Sequence, residues 1–182
     1  MNLTSTNWHI ITGSPSSGKR STLDSIAYRG YKTIPEAARV FIDEEISRTK
    51  TIKEIRTPEL EFQEHVLKMK IEIESSLNPN ELIFFNRGIL DSIPFMKLAG
   101  ATSNRLETVT CNRAYKNVFL LEPLPYINDY ARVENPEQAS LIGELLFKTY
   151  SVNGYNVIKV PVMPISTRVD YILMHIENDK NI

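Results

Sequence analysis

Cysteine is all but missing from this chain. Cys111 stands alone, so no internal disulfide can form and the fold must rest on its core; a reduced, cytoplasmic setting is the matching expectation. Cys111 itself reads as a packing residue rather than a nucleophile. Long apolar runs are missing too, and none approaches the ~18 residues that a membrane span needs. The opening MNLTSTNW has neither the basic nor the apolar segment of a secretory signal. An excess of either charge is also lacking: 21 basic against 22 acidic residues leave a net charge of −1. That excludes a nucleic-acid binder held by bulk electrostatics, though not a local basic patch. Histidine is scarce, and His9, His65 and His175 are too far apart in sequence for zinc-ligand spacing.

What remains is an ordinary globular composition, 42% hydrophobic and 24% charged over 182 residues. It suits one domain, residues 1–182, with a full core. The informative stretch is HIITGSPSSGKRST, from His9 to Thr22. Ile10, Ile11 and Thr12 run as a strand into Gly13, and four residues later come Gly18 and Lys19. This is the G-x-x-x-x-G-K core of a phosphate-binding loop. Small residues let the backbone wrap a phosphate with its N–H groups turned inward. A helix starting near Gly18 adds its positive end, and Lys19 brings a mobile charge to the β- and γ-phosphates. Gly13, Ser14, Pro15, Ser16, Ser17, Gly18, Lys19, Arg20 and Ser21 are therefore the candidate nucleotide-binding residues. One position departs from the motif. A hydroxyl should follow the lysine to hold Mg²⁺, and here stands Arg20, with Ser21 one residue late and ~100° further round the helix.

Hydrophobic periodicity places the other elements. Leu23, Ile26 and Ala27 mark a helix over 19–29, ended by Gly30. Tyr31 to Ile34 is a short strand, and Glu36 opens a helix to about Ser47. Residues 48–57 read as a polar loop. Pro58, capped by Thr57, starts a helix with Phe62, Val66, Met69 and Ile73 on one stripe. LIFF, 82–85, and VFLL, 118–121, are apolar runs of the kind found in buried parallel strands. Helices are predicted over 91–98 and 103–112, from Pro136 to Asn153 and, capped by Ser166 or Thr167, over the last segment. Tyr155 to Val160 is a fifth strand. The Pro-rich and polar stretch at 123–135 has the character of a lid-like loop. Five strands alternating with helices give an α/β fold with a mostly parallel sheet, whose ligands bind beyond the carboxyl ends of the strands.

The residues just after each strand are thus the candidates. Glu36 follows the second strand, where a carboxylate can orient an acceptor hydroxyl or water; the alternative is a first-turn glutamate favoured by the helix dipole. Arg39, one turn on, can pair with Glu36 or grip substrate. After LIFF comes Asn86, where an acidic residue usually helps to hold Mg²⁺. Ser21 and Asn86 are accordingly the weak metal candidates. Asp91 either substitutes for the missing charge or caps the next helix. Arg87 and Arg132 are candidates for stabilising a transferring phosphoryl group, Arg132 otherwise being a solvated loop charge. Arg20 either pairs with Asp24 on the helix surface or reaches the phosphates in place of the metal's charge.

GSPSSGKRSTLDSIAYRGYKTIPEAAR resembles the start of the small AAA-type P-loop ATPase/kinase family, which includes the nicotinamide riboside kinase-like domain of bacterial NAD regulators. FFNRGILDSIPF is similar to that family's F-F-D-R-G stretch. The segment from VFLLEPLPYINDYAR to STRVDYIL resembles its C-terminal half. The resemblance implies a three-layer P-loop NTPase sandwich of nucleoside/nucleotide-kinase type, a five-stranded sheet in the order 2-3-1-4-5, and ATP as the bound nucleotide. It carries phosphate binding onto Gly13, Gly18 and Lys19 and suggests roles for Glu36, Arg39, Arg87, Asp91, Arg132 and Arg168. The family's residue after lysine is Arg20 here and its D-R aspartate is Asn86, which bears directly on Mg²⁺.

The leading expectation is an ATP-binding protein that transfers the γ-phosphoryl group to a small-molecule acceptor or to water. The alternative is a nucleotide-binding module with weakened Mg²⁺ binding and little or no catalysis. A third is an interaction domain that binds no nucleotide. Neither nucleic acid nor membrane is an expected partner.

Overall fold

A computed structural model describes residues 4–125, 127 and 134–178. Five parallel strands form the central sheet: β2 (Trp8–Gly13), β3 (Lys32–Ile34), β4 (Ile83–Asn86), β6 (Asn117–Leu121) and β7 (Val157–Val160). Their order is β3-β4-β2-β6-β7, which is the expected 2-3-1-4-5. Register aligns the ends that matter. Ile11 lies opposite Asn86, and Gly13 lies opposite Leu121, so the phosphate loop, the residues after β4 and those after β6 emerge along one edge.

Among the described residues eight α-helices accompany the sheet: α1 (Lys19–Tyr28), α2 (Ala37–Ser47), α3 (Ile52–Ile55), α4 (Glu59–Ser76), α5 (Ser92–Leu98), α6 (Ser103–Glu107), α7 (Pro136–Val152) and α8 (Ile165–Asn178). Alternation along the strands sends Ile11, Phe84, Phe119 and Leu121 to one face, against Ile26 of α1 and Val169 and Ile172 of α8. Trp8, Ile10, Ile83, Phe85 and Val118 pack on the other face with Tyr150 of α7. A third cluster, Ala37, Ile42, Ile55, Phe62 and Val66, joins α2, α3 and α4 beside the sheet. Among the described residues no helix is long and apolar enough to cross a membrane.

The differences from the sequence reading are local. Two-residue strands β1 (Thr4–Ser5) and β5 (Arg113–Ala114) form a separate parallel pair, too short to give a periodic signal. The 48–57 loop contains α3, nucleated by a capping box in which Thr51 and Glu54 satisfy each other's backbone N–H groups. Pro58 precedes its helix rather than opening it. Residues after Glu107 leave the helical conformation, and α8 begins at Ile165, ahead of both predicted caps.

Phe84 is fully buried at the centre of β4, and its removal leaves a cavity that the sheet cannot close. Phe84→Ala should cost about 3–5 kcal/mol of unfolding free energy, read as a fall in the urea midpoint with little change in slope.

Candidate functional site

The phosphate loop owes its shape to the residues the motif names. Gly13 has φ +144°, and a Cβ there would come within 2.7 Å of the Leu121 carbonyl oxygen. Only glycine fits so close a strand neighbour in that conformation. Gly18, in the left-handed region at φ 80°, stands at the N-cap of α1. Lys19 is buried and folds back over the loop, donating from Nζ to the carbonyls of Ser14 at 2.8 Å and Gly13 at 3.1 Å. Ser14 Oγ is buried without a hydrogen-bond partner among the described residues. Arg168 of α8 braces the loop from outside, donating to Thr22 Oγ1 at 3.2 Å and to the Ser17 carbonyl at 3.4 Å.

Beyond β4 the chain turns sharply. Arg87 has φ 70°, a conformation that costs a non-glycine residue about 1–2 kcal/mol. Gly88 follows because Tyr115 leaves no room: a Cβ would meet its hydroxyl at 2.8 Å. The turn sends the Arg87 guanidinium towards Lys19. Arg87 Nε donates to Glu36 Oε1 at 2.7 Å, and the guanidinium lies 4.8 Å from the centre of the Phe95 ring. Glu36 is the N-cap of α2. Burial pushes its carboxyl up, but the charges of Arg87 and Lys19 outweigh this and hold it down at about 2. It is therefore ionised at all physiological pH values.

Lys19, Glu36 and Arg87 line one cavity, walled by α2, α4 and α5 through Ile42, Phe62, Gln63 and Phe95. An adjoining cleft is lined by Ser16 to Ser21, Glu36, Arg39 and Asn86. The phosphate loop, Glu36, Arg39, Asn86 and Arg87 are thus brought together. Asp91 is not among them. It is fully buried below Arg87, so it supports the site from beneath rather than facing it. Its oxygens accept from Thr12 Oγ1 and Tyr150 OH, both at 2.5 Å, from Gly88 N at 2.8 Å and from Arg87 at 3.2 Å. Arg132 lies outside the described residues. Of the described residues on either side of it, Ile127 accepts from Ser16 Oγ at 3.0 Å through its carbonyl, and Glu134 accepts from Arg56 at 3.2 Å.

Sequence reading overlooked Lys70, Glu74 and Tyr115. Lys70 Nζ donates to the Gly88 carbonyl at 3.0 Å and to Ser92 Oγ at 3.1 Å. Tyr115 OH receives Ile89 N–H at 2.9 Å and donates to Glu74 Oε1 at 2.7 Å. These groups grip the turn that aims Arg87. Gln63, Val66, Lys70 and Glu74 follow one another by three or four residues, and all are buried on α4. The spacing was visible, but a polar stripe reads as a solvated face.

Around the phosphate loop the two positions that usually serve Mg²⁺ carry other chemistry. Arg20 occupies the hydroxyl position. Ser21 Oγ is on the exposed side of α1 and donates to the Gly18 carbonyl at 3.0 Å. Asn86 supplies a neutral oxygen in place of a carboxylate, while Glu36 and Asp91 are engaged by Arg87. Among the described residues no group of three His, Cys, Asp or Glu side chains could hold an ion.

Burial raises the Glu74 carboxyl from 4.5 to about 7 and lowers Lys70 to about 8. A raised folded-state pKa favours folding while the group is protonated. Glu74's contribution is therefore full below pH 4.5 and is lost as pH rises to about 7. Glu74→Gln keeps an acceptor for Tyr115 and should abolish this loss. Unfolding free energies of the two proteins should diverge by up to roughly 3 kcal/mol between pH 4.5 and 7, the variant gaining.

The family model for the AAA domain matches residues 8–168. A comparison with curated proteins returns no match. Among solved structures, deoxyadenosine kinase from M. mycoides with bound dATP aligns with a TM-score of 0.67 and 16% identity, over 93% of this chain and 98% of that one. NadR protein in complex with NAD and AMP-PNP aligns with a TM-score of 0.71 and 13% identity, over 93% of this chain and 49% of NadR. Thymidylate kinase from Ehrlichia chaffeensis gives 0.62 and 11%, over 93% and 97%. At these identities the likeness is one of fold, a P-loop nucleotide-kinase-like fold, and by the match over most of its length the chain belongs to the AAA domain family.

Proposed function

We propose that this protein binds ATP and transfers its γ-phosphoryl group to a small hydroxylated acceptor held in the cavity beside Lys19. The observation that carries the reading is the Glu36–Arg87 pair, 2.7 Å apart, which lines one cavity together with the phosphate-loop lysine.

Lys19 leaves the loop carbonyls for the β- and γ-phosphates, which offer it a full negative charge in place of neutral oxygens. Backbone N–H groups of Ser14 and of Ser16 to Lys19, with the start of α1, hold the rest of the chain of phosphates. Phosphoryl transfer passes through a loose transition state, so positioning and charge stabilisation supply most of the rate. Glu36, held near a pKa of 2, is a poor proton acceptor in the ground state; its part is to orient the acceptor hydroxyl in line with the γ-phosphorus, and as the new O–P bond forms and the bond to the ADP oxygen breaks, the hydroxyl proton passes late to the transferred phosphoryl group. Arg87 stands beside it to neutralise charge that develops on the transferring group, and Arg132 brings a second cation from the 123–135 connection. Asp91 acts as a positioning residue for Arg87. The acceptor cavity, with Phe62 and Phe95 for stacking and Gln63 for polar contact, suits a flat ring bearing hydroxyl and amide groups.

Lys19→Ala should lower ATP affinity at least tenfold and abolish phosphoryl transfer, measured with labelled ATP against a panel of nucleosides and nucleotides. Glu36→Gln should leave ATP affinity within about threefold while transfer falls by roughly 10², the cost of a misoriented acceptor. A Lys19→Ala protein that binds and turns over ATP as well as the parent would overturn the reading.

A further inference from the structure

Resting on that reading of the nucleotide site, we propose that the cleft takes its nucleoside triphosphate without a divalent metal, Arg20 and Asn86 together replacing the metal's charge. In a phosphate loop of the usual pattern, a neutral hydroxyl follows the lysine and an acid stands at the end of the neighbouring strand. Here the hydroxyl has become a guanidinium and the acid an amide. The first exchange adds one positive charge and the second removes one negative charge. Their sum equals the charge of one Mg²⁺.

The structure puts both exchanges in the same place. Arg20 and Asn86 line one cleft with Ser16 to Ser21 and Glu36. Arg20 is not committed elsewhere by any strong contact. Its Nε stands 4.0 Å from Asp24, with both side chains about three-quarters exposed, a pairing worth little in water. From the first turn of α1 a guanidinium can present two N–H groups to phosphate oxygens, which an ammonium or a hydroxyl cannot. Asn86 is 6% exposed, and its Oδ1 is buried with no hydrogen-bond partner among the described residues. A buried acceptor without a donor costs about 1–3 kcal/mol. The Arg20 guanidinium, drawn in by a triphosphate, is a donor that would relieve it. A carboxylate at this position would repel metal-free phosphates, whereas the amide does not.

The acids near the cleft do not restore a metal site. Glu36 is bound to Arg87, and Asp91 is fully buried beneath it. Asp24 and Asp43 also line the cleft; Asp24 lies one turn of α1 beyond Arg20 and is drawn to that side chain, while Asp43 lies a turn beyond Arg39 on α2. Among the described residues no three His, Cys, Asp or Glu side chains come together as an ion site.

Calorimetric titration of ATP at fixed ionic strength, once with excess Mg²⁺ and once with EDTA, tests the proposal. The dissociation constants should agree within about threefold. Arg20→Thr/Asn86→Asp should bind at least tenfold more weakly than the parent in EDTA and recover when Mg²⁺ is supplied. Because Arg20 is exposed, Arg20→Gln alone should fold normally and should lose at least fivefold in EDTA, which keeps the test open if the buried position is intolerant. A parent protein that weakens tenfold or more in EDTA overturns the proposal and leaves the ATP site standing. Absence of ATP binding under both conditions overturns the reading of the site itself.

Discussion

The Asp91 carboxylate sits in the interior with donors from four directions, and the geometry of the candidate site hangs on it. Thr12 comes from the strand that leads into the phosphate loop, Gly88 and Arg87 from the turn after β4, and Tyr150 from α7. A carboxylate buried without partners would cost several kcal/mol or take up a proton. Satisfied as it is, it locks three elements to one another through strong, charge-assisted bonds. Removing such a group from its partners typically costs 3–5 kcal/mol. The turn it holds is strained at Arg87, and strain of this kind persists only where the surroundings over-determine it.

From that anchor the rest follows in sequence. Arg87 is aimed at Glu36, Glu36 stands at the N-terminal boundary of α2, and α2 packs through Ile42 onto Phe62 and Val66 of α4. Lys70 and Tyr115 hold the same turn from the other side. The chain thus builds one cavity from a strand end, two helix starts and a buried polar network. Electrostatics then sets its character. Glu36 is kept ionised by Arg87 and Lys19, while at Glu74 burial outweighs the charge of Lys70 and drives the carboxyl towards its neutral form.

Much of this was legible in the sequence, for identifiable reasons. Four of the five strands of the central sheet hold short apolar runs, β3 being bounded instead by Gly30 and Pro35, and the phosphate loop is marked by two glycines of positive φ, Gly13 lying too close to the Leu121 carbonyl for any Cβ. Strand ends then pointed to Glu36, Asn86 and Arg87, because parallel α/β sheets place ligands there. Asp91 was singled out as well, but sequence distance cannot tell a carboxylate at the rim from one a turn below it. Lys70 and Glu74 were hidden by their chemistry: a lysine and a glutamate on a helix stripe look solvated until Gly88 and Tyr115, far away in sequence, come to meet them. The strands β1 and β5 and the helix α3 are held by a pairing or a cap rather than by periodicity, so no hydrophobic pattern announced them.

The central claim is that the phosphate loop and the Arg87–Glu36 pair form one site for a nucleoside triphosphate. A titration of ATP followed by NMR, observing the backbone amides of Gly13, Ser14 and residues 16–21 together with the Arg87 Nε–H signal, is the decisive measurement. Both sets of signals should shift along one saturation curve with a single dissociation constant. Shifts confined to other surfaces, or loop amides that respond while Arg87 does not, would contradict it.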